Sequence, residues 1–267
     1  MLNIETHLYE QLCKLRAEYN LEGIKAEFEA EGSSFRDLVR LRRLTLSAGV
    51  KLFLKIGGVE AIRDIRDAME IGVDGIIAPM VESRFGAKKF YDSVNQVYGD
   101  NKVITTLTIE TRNAIEEIDD ILEYAENKFD NITIGRSDLS ASYFNINVTP
   151  DSDFLFDHIE DIARKANELN LCCTVGGSFS QATIEKIKTR DKAIIGMVKK
   201  YETRKVIMSS GSFLGLDHSI NEALKFEKLY ILSKQEFSDS KINPEIERLT
   251  ELQGGGNGLF NNNTSTG

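Results

Sequence analysis

A change of period that repeats along the chain limits what it can become. From about residue 20 to about residue 210, short runs of β-type residues alternate with helix-length segments that carry an apolar stripe. Strand followed by amphipathic helix, many times over, is the pattern of a parallel sheet with crossover helices. The expected strands are residues 23–29, 51–56, 75–80, 103–109, 131–135, 171–175, 193–198 and 205–209, with helices between them such as 35–48, 60–71, 84–97, 114–127 and 153–170. Eight strands close a (β/α)8 TIM barrel, and 267 residues suit one such barrel of roughly 250 residues better than two ordinary domains. The irregular place is 191–210, where two strands follow one another with only residues 199–203 expected between them.

An amphipathic N-terminal helix is expected over residues 4–19 and a last helix over 221–235. This gives an α/β barrel domain over residues 1–236, a charged helical extension over 237–253, and a low-complexity tail over 254–267 that reads as disordered. No apolar run approaches the roughly 20 residues of a membrane span, and the N-terminus lacks the pattern of a secretory signal, so a cytoplasmic protein without a membrane partner is expected. Cys13, Cys172 and Cys173 show neither disulfide nor zinc spacing. A net charge of -9 argues against nucleic acid, whose binding rests on Lys and Arg neutralising phosphates. Association into a homo-oligomer is the general expectation.

Active sites of such barrels lie at the C-terminal ends of the strands, and those ends are rich in polar residues here. Glu110 and Asp138, at the tops of adjacent strands, can reach one oxygen-seeking cation such as Mg2+ or Mn2+, which keeps several waters. They can equally cap the following helices or pair with Arg112 and Arg136. Glu27, Glu29 and Glu31 alternate along one strand face, which predicts like-charge repulsion and a carboxylate tuned as a general base. The competing reading pairs them with Lys25 or Lys55 as structural ions. Gly57-Gly58 and Gly176-Gly177-Ser178 are either anion-binding turns or simply tight ones. Arg136 and Arg204 suit a substrate carboxylate, or else balance acidic neighbours.

The segments Thr108-Ile109-Glu110-Thr111, Ile134-Gly135-Arg136-Ser137-Asp138-Leu139-Ser140 and Gly75-Ile76-Ile77-Ala78-Pro79-Met80-Val81-Glu82-Ser83 resemble the metal-dependent class II pyruvate aldolases. This is the hydroxy-oxo-heptanedioate aldolase and citrate lyase beta-subunit superfamily, with a phosphoenolpyruvate/pyruvate type of barrel. The resemblance implies that Glu110 and Asp138 hold a divalent metal acting as a Lewis acid on a 2-oxo acid, in a carbon-carbon lyase working through a pyruvate-like enolate. It puts Lys55 where the family usually has Arg, as the group that neutralises the enolate oxygen. Thr108 stands where a Gln is common, and Ala30 where aldolases of this group have a base-assisting His. The base then falls to Glu29 or Glu27, and substrate binding to Thr108, Arg136, Gly177 and Ser178. The alternatives are a barrel enzyme acting on a phosphoenolpyruvate-like substrate, or a non-catalytic sensor or scaffold.

Overall fold

The computed structural model describes residues 3–190 and 196–255. Its strands are β1 (Leu21–Glu27), β2 (Leu52–Lys55), β3 (Gly75–Ala78), β4 (Ile104–Ile109), β5 (Asn131–Gly135), β6 (Cys172–Gly176), β7 (Val198–Glu202) and β8 (Val206–Ser209). They hydrogen-bond in chain order and close into a barrel, the expected fold. The first six lie within two residues of their expected ends.

The last two strands depart from expectation. Of the strand expected at 193–198, residues 193–195 lie outside the described residues, 196 and 197 are helical rather than extended, and 198 begins β7, to which residues 199–202, expected as connection, also belong. Only residues 203–205 separate β7 from β8. A return to start a parallel strand takes a dozen or more residues, so a three-residue link forces the chain to reverse. β8 accordingly runs antiparallel to both β7 and β1. Thr203 clamps the turn: its N–H donates to the Val206 carbonyl at 2.9 Å and its hydroxyl accepts from the Val206 N–H at 3.1 Å. The N–H of Lys25 donates to the Lys205 carbonyl at 2.8 Å, tying the hairpin to β1.

Two interiors of different chemistry follow from the period-two pattern. Outward-facing Leu52, Leu54, Ile76, Leu107, Ile109, Ile132, Ile134 and Val175 pack against helix residues such as Leu38, Ile65, Phe90 and Ile159 to form the main core. Inside the barrel a separate plug of Phe53, Ile77 and Ile207, with Ile104 beside it, closes one end. Next comes a polar layer in which Asn131 donates to Thr133 at 3.3 Å and accepts from Thr174 at 3.0 Å. The mouth is lined by charges.

The helix Asn3–Tyr19 packs against the helix Ser219–Gly255, with Glu222 accepting from Gln11 and Lys14 at 2.7 Å each. This last helix runs unbroken through residue 237, so the expected last helix and extension form one element. Gly254 and Gly255 end that helix, whereas the rest of the expected tail, 256–267, lies outside the described residues. No helix among the described residues is long and apolar enough to cross a membrane.

Phe53 depends on its neighbours having no side chain. Register places Gly75 beside it on β3, and a Cβ at either Gly23 or Gly75 would overlap its ring. Overfilling a packed core in this way costs about 1–3 kcal/mol. Gly75→Ala is therefore expected to lower stability by that amount in urea unfolding, and Phe53→Leu in the same chain to recover part of the loss. An unchanged midpoint in Gly75→Ala would show that the ring is free to move aside.

Candidate active site

A cavity of about 710 Å³ opens at the barrel mouth. Of the residues singled out in the sequence, it gathers Glu27, Glu29, Lys55, Thr108, Glu110, Asp138, Gly177, Ser178 and Arg204. Six carboxylates face it against three cations, so the mouth carries an excess of negative charge.

Glu110 follows directly on β4 and is buried. Its Oε1 accepts from the Met80 N–H at 2.9 Å and from Lys55 Nζ at 3.1 Å. Met80 makes that bond from a left-handed backbone, φ 44°, a conformation that a side chain disfavours and that clusters at functional sites. Oε2 of Glu110 is turned toward β5, where a Cβ on Gly135 would sit 2.7 Å from it, so residue 135 has to be glycine for the carboxylate to fit. Three residues further on, Asp138 lies exposed in the first turn of the short helix Arg136–Ala141. Burial is the main cause raising the Glu110 pKa, and the charge of Asp138 adds to it; Lys55 and the Met80 N–H oppose. Lys55 Nζ also donates to Oε2 of Glu110, at 3.3 Å, so it spans both oxygens, and Glu110 and Asp138 line the same cavity. Thr108, two residues earlier on the same inward face, has a buried hydroxyl with no hydrogen-bond partner among the described residues.

Lys55 ends β2 between two acids, 2.9 Å from Glu29 and 3.1 Å from Glu110. Burial pulls its pKa down, but the charge of Glu110 and the contact with Glu29 outweigh it, and the net direction is up, keeping the ammonium charged. Lys25 is held 2.7 Å from Glu202 and 3.6 Å from Glu27, and its pKa is likewise raised by those acids against the effect of burial. Glu31 pairs with Lys205 and, at 3.3 Å, with Arg204. The expected like-charge cluster of Glu27, Glu29 and Glu31 does not form. β1 stops at Glu27, the chain turns with Ser33 N–H on the Glu27 carbonyl at 3.3 Å, and each carboxylate meets its own cation.

Arg136, expected at the substrate, does not line the cavity. Its side chain is fully buried and donates to the carbonyls of Gly176 (3.3 Å), Pro150 (3.1 Å) and Ser178 and to Asp151 (2.7 Å), with the guanidinium 4.2 Å over the Phe179 ring. It pins the 176–178 turn to the neighbouring loop. Gly177 in that turn has φ 122°, and a Cβ there would press on Cβ of Arg136 at 3.2 Å. The other glycine pair lies away from the cavity: Gly57 N–H donates to the Asp64 carboxylate at 2.7 Å and neither Gly57 nor Gly58 lines the cavity wall. His7, His158 and His218 are also absent from its walls. Lys25, Ser137 and Glu202 do line it although the sequence had not marked them as site residues. Lys25 was legible from its period-two relation to Glu27, and Glu202 only once β7 is correctly bounded.

The sequence profile described as HpcH/HpaI aldolase/citrate lyase matches residues 41–174, and a comparison with curated sequences finds no match. Among solved structures, the HpcH/HpaI aldolase from Desulfitobacterium hafniense DCB-2 is similar over 73% of this chain and 82% of that one, at 18% identity and a TM-score of 0.58. An HpcH/HpaI aldolase/citrate lyase family protein from Burkholderia cenocepacia J2315 is similar over 84% and 90%, at 12% identity and a TM-score of 0.59. Citrate synthase SbnG is similar over 89% and 90%, at 17% identity and a TM-score of 0.57. These likenesses carry the fold. The profile match spans half of the chain and runs through Lys55, Glu110 and Asp138, and on that ground the chain belongs to the HpcH/HpaI aldolase/citrate lyase family.

Proposed function

We propose that this protein is a carbon-carbon lyase of the aldolase type, acting on a 2-oxo acid with a divalent ion, Mg2+ or Mn2+, held by Glu110 and Asp138. The observation that carries the reading is Glu110: a buried carboxylate held by the Met80 N–H and by Lys55, with Oε2 turned toward the strand that leads to Asp138. Two carboxylates and an open cavity suit a hard cation that completes its shell with water and substrate. Among the described residues no group of three His, Cys, Asp or Glu forms a closed cage, so zinc of the structural kind has no matching ligand set.

Such an ion, when bound, supplies Lewis-acid polarisation of the substrate's 2-oxo group. The chain's own groups do the rest. Glu29, whose side chain is 23% exposed, takes the proton from the 4-hydroxyl of a 4-hydroxy-2-oxo acid. The C3–C4 bond then breaks, its electron pair forms the enolate of the 2-oxo acid, and an aldehyde leaves. Lys55 keeps its charge and offsets the negative charge growing on the enolate oxygen. Returning the proton to C3 completes the 2-oxo acid. Glu27, tied to Lys25, is the second candidate for proton transfer. The unpartnered Thr108 hydroxyl has a donor to spare for a substrate oxygen, and Gly177 and Ser178 line the wall beside it.

Release of a 2-oxo acid from a panel of 4-hydroxy-2-oxo acids, coupled to reduction of the product, tests this reading. Turnover is expected to need Mg2+ or Mn2+ and to fall at least about 100-fold in Asp138→Ala, with thermal stability close to that of the parent because Asp138 is exposed. Full turnover in excess chelator would overturn it.

Lys55→Met gives an independent check. Loss of the ammonium is expected to lower kcat about 100-fold, equivalent to about 2.7 kcal/mol, and to destabilise the fold by leaving Glu110 buried without its cation. Lys55→Arg keeps the charge and is expected to recover most of the stability. Undiminished kcat in Lys55→Met would remove Lys55 from the chemistry.

A further inference from the structure

We infer that Arg204, on the reversed β7–β8 hairpin, selects substrates that carry a negative group at the end remote from the 2-oxo acid. Lys25 and Lys55 in the cavity wall and Lys205 behind it are buried and committed to acids. Arg204 differs. Its side chain is 54% exposed and it meets Glu31 through Nε alone, at 3.3 Å. Its two terminal nitrogens donate no hydrogen bond among the described residues, and the residue lines the cavity. A guanidinium with its planar fork unoccupied is shaped to receive a carboxylate or a phosphate by two parallel hydrogen bonds.

Position supports the same conclusion. In a closed barrel of eight strands ordered as the chain runs, β8 is diametrically opposite β4. Glu110 follows directly on β4, whereas Arg204 sits in the link that leads into β8. A substrate anchored at Glu110 and Asp138 and extended across the mouth therefore points its far end at Arg204. Glu31 does not block this. It remains neutralised by Lys205 when Arg204 turns to a ligand, so the exchange leaves no buried acid alone.

The inference rests on the lyase reading only for which end of the substrate lies at Glu110, so its test measures binding and the turnover assay above is run separately. With Mn2+ present, calorimetry on the full-length protein compares three ligands of similar length: 2-oxoglutarate, 2-oxo-4-phosphonobutanoate and the monoacid 2-oxopentanoate. At least one of the two with a charged far end is expected to bind tenfold or more tightly than 2-oxopentanoate. Arg204→Gln is expected to bring that ratio close to one, and Arg204→Lys to recover part of it. The tighter of the two charged ligands names the group as carboxylate or phosphate. Arg204 is exposed, and equal melting temperatures would confirm that the variants fold. A parent protein that shows no preference, or a preference that survives Arg204→Gln, would overturn the assignment, whatever the turnover assay returns.

Discussion

The ion pair on which the mouth of this barrel depends is Lys55 with Glu110, braced by Glu29. Taking a carboxylate and an ammonium out of water costs several kcal/mol each, and an apolar pair of the same volume is often as stable or more so. Stability alone therefore gives little reason to bury Glu110 there. What the arrangement provides is position: the Met80 N–H holds one oxygen still, Lys55 spans both, and the absence of a side chain at Gly135 leaves space for the second. The left-handed Met80 fits the same account, since a local conformation that a side chain disfavours is kept only where its surroundings over-determine it.

The remaining charges are organised by the same rule of pairing. Lys25 with Glu202 and Lys205 with Glu31 join β1 and the loop after it to β7 and to the β7–β8 turn. These contacts stitch the seam where the barrel closes, which is also where β8 runs against both neighbours. A hairpin supplies no crossover helix to cover that seam. The short helix Ser210–Gly215, whose Phe213 stacks on Tyr201 of β7, and the start of the helix Ser219–Gly255, with Ala223, Phe226 and Tyr230 buried, do so instead.

Much of this was legible in the residues. The outward faces of β4 and β5 announce themselves because Leu107, Ile109, Ile132 and Ile134 recur every second residue between Thr and Asn. Glu110 and Asp138 stand out because strand ends are where a barrel exposes polar groups. The failures have equally local causes. Glu27, Glu29 and Glu31 looked like one face only while the strand was taken to continue; with β1 ending at Glu27, period two no longer applies to the other two. Arg136 sits beside Asp138 in sequence, but the first helical turn sends the two side chains in different directions, and four acceptors from later in the chain claim the guanidinium. No local pattern reveals acceptors contributed by residues 150, 151, 176 and 178.

The reversal of β8 links topology to chemistry. In a barrel of parallel strands every link at the mouth leads into a helix that must turn back down the outside, and the residues at its start are committed to that turn. The hairpin has no such duty. Thr203 and the Lys25 N–H satisfy the turn's backbone, which leaves Arg204 at the tip meeting Glu31 through Nε and Lys205 buried behind it to hold the same Glu31. Two consecutive cations thus take opposite roles because one points into the packed seam and the other toward the cavity. The shortness of a connection, three residues where a dozen would be needed for a crossover, is what places a half-exposed guanidinium, held only at Nε by Glu31, across the mouth from Glu110.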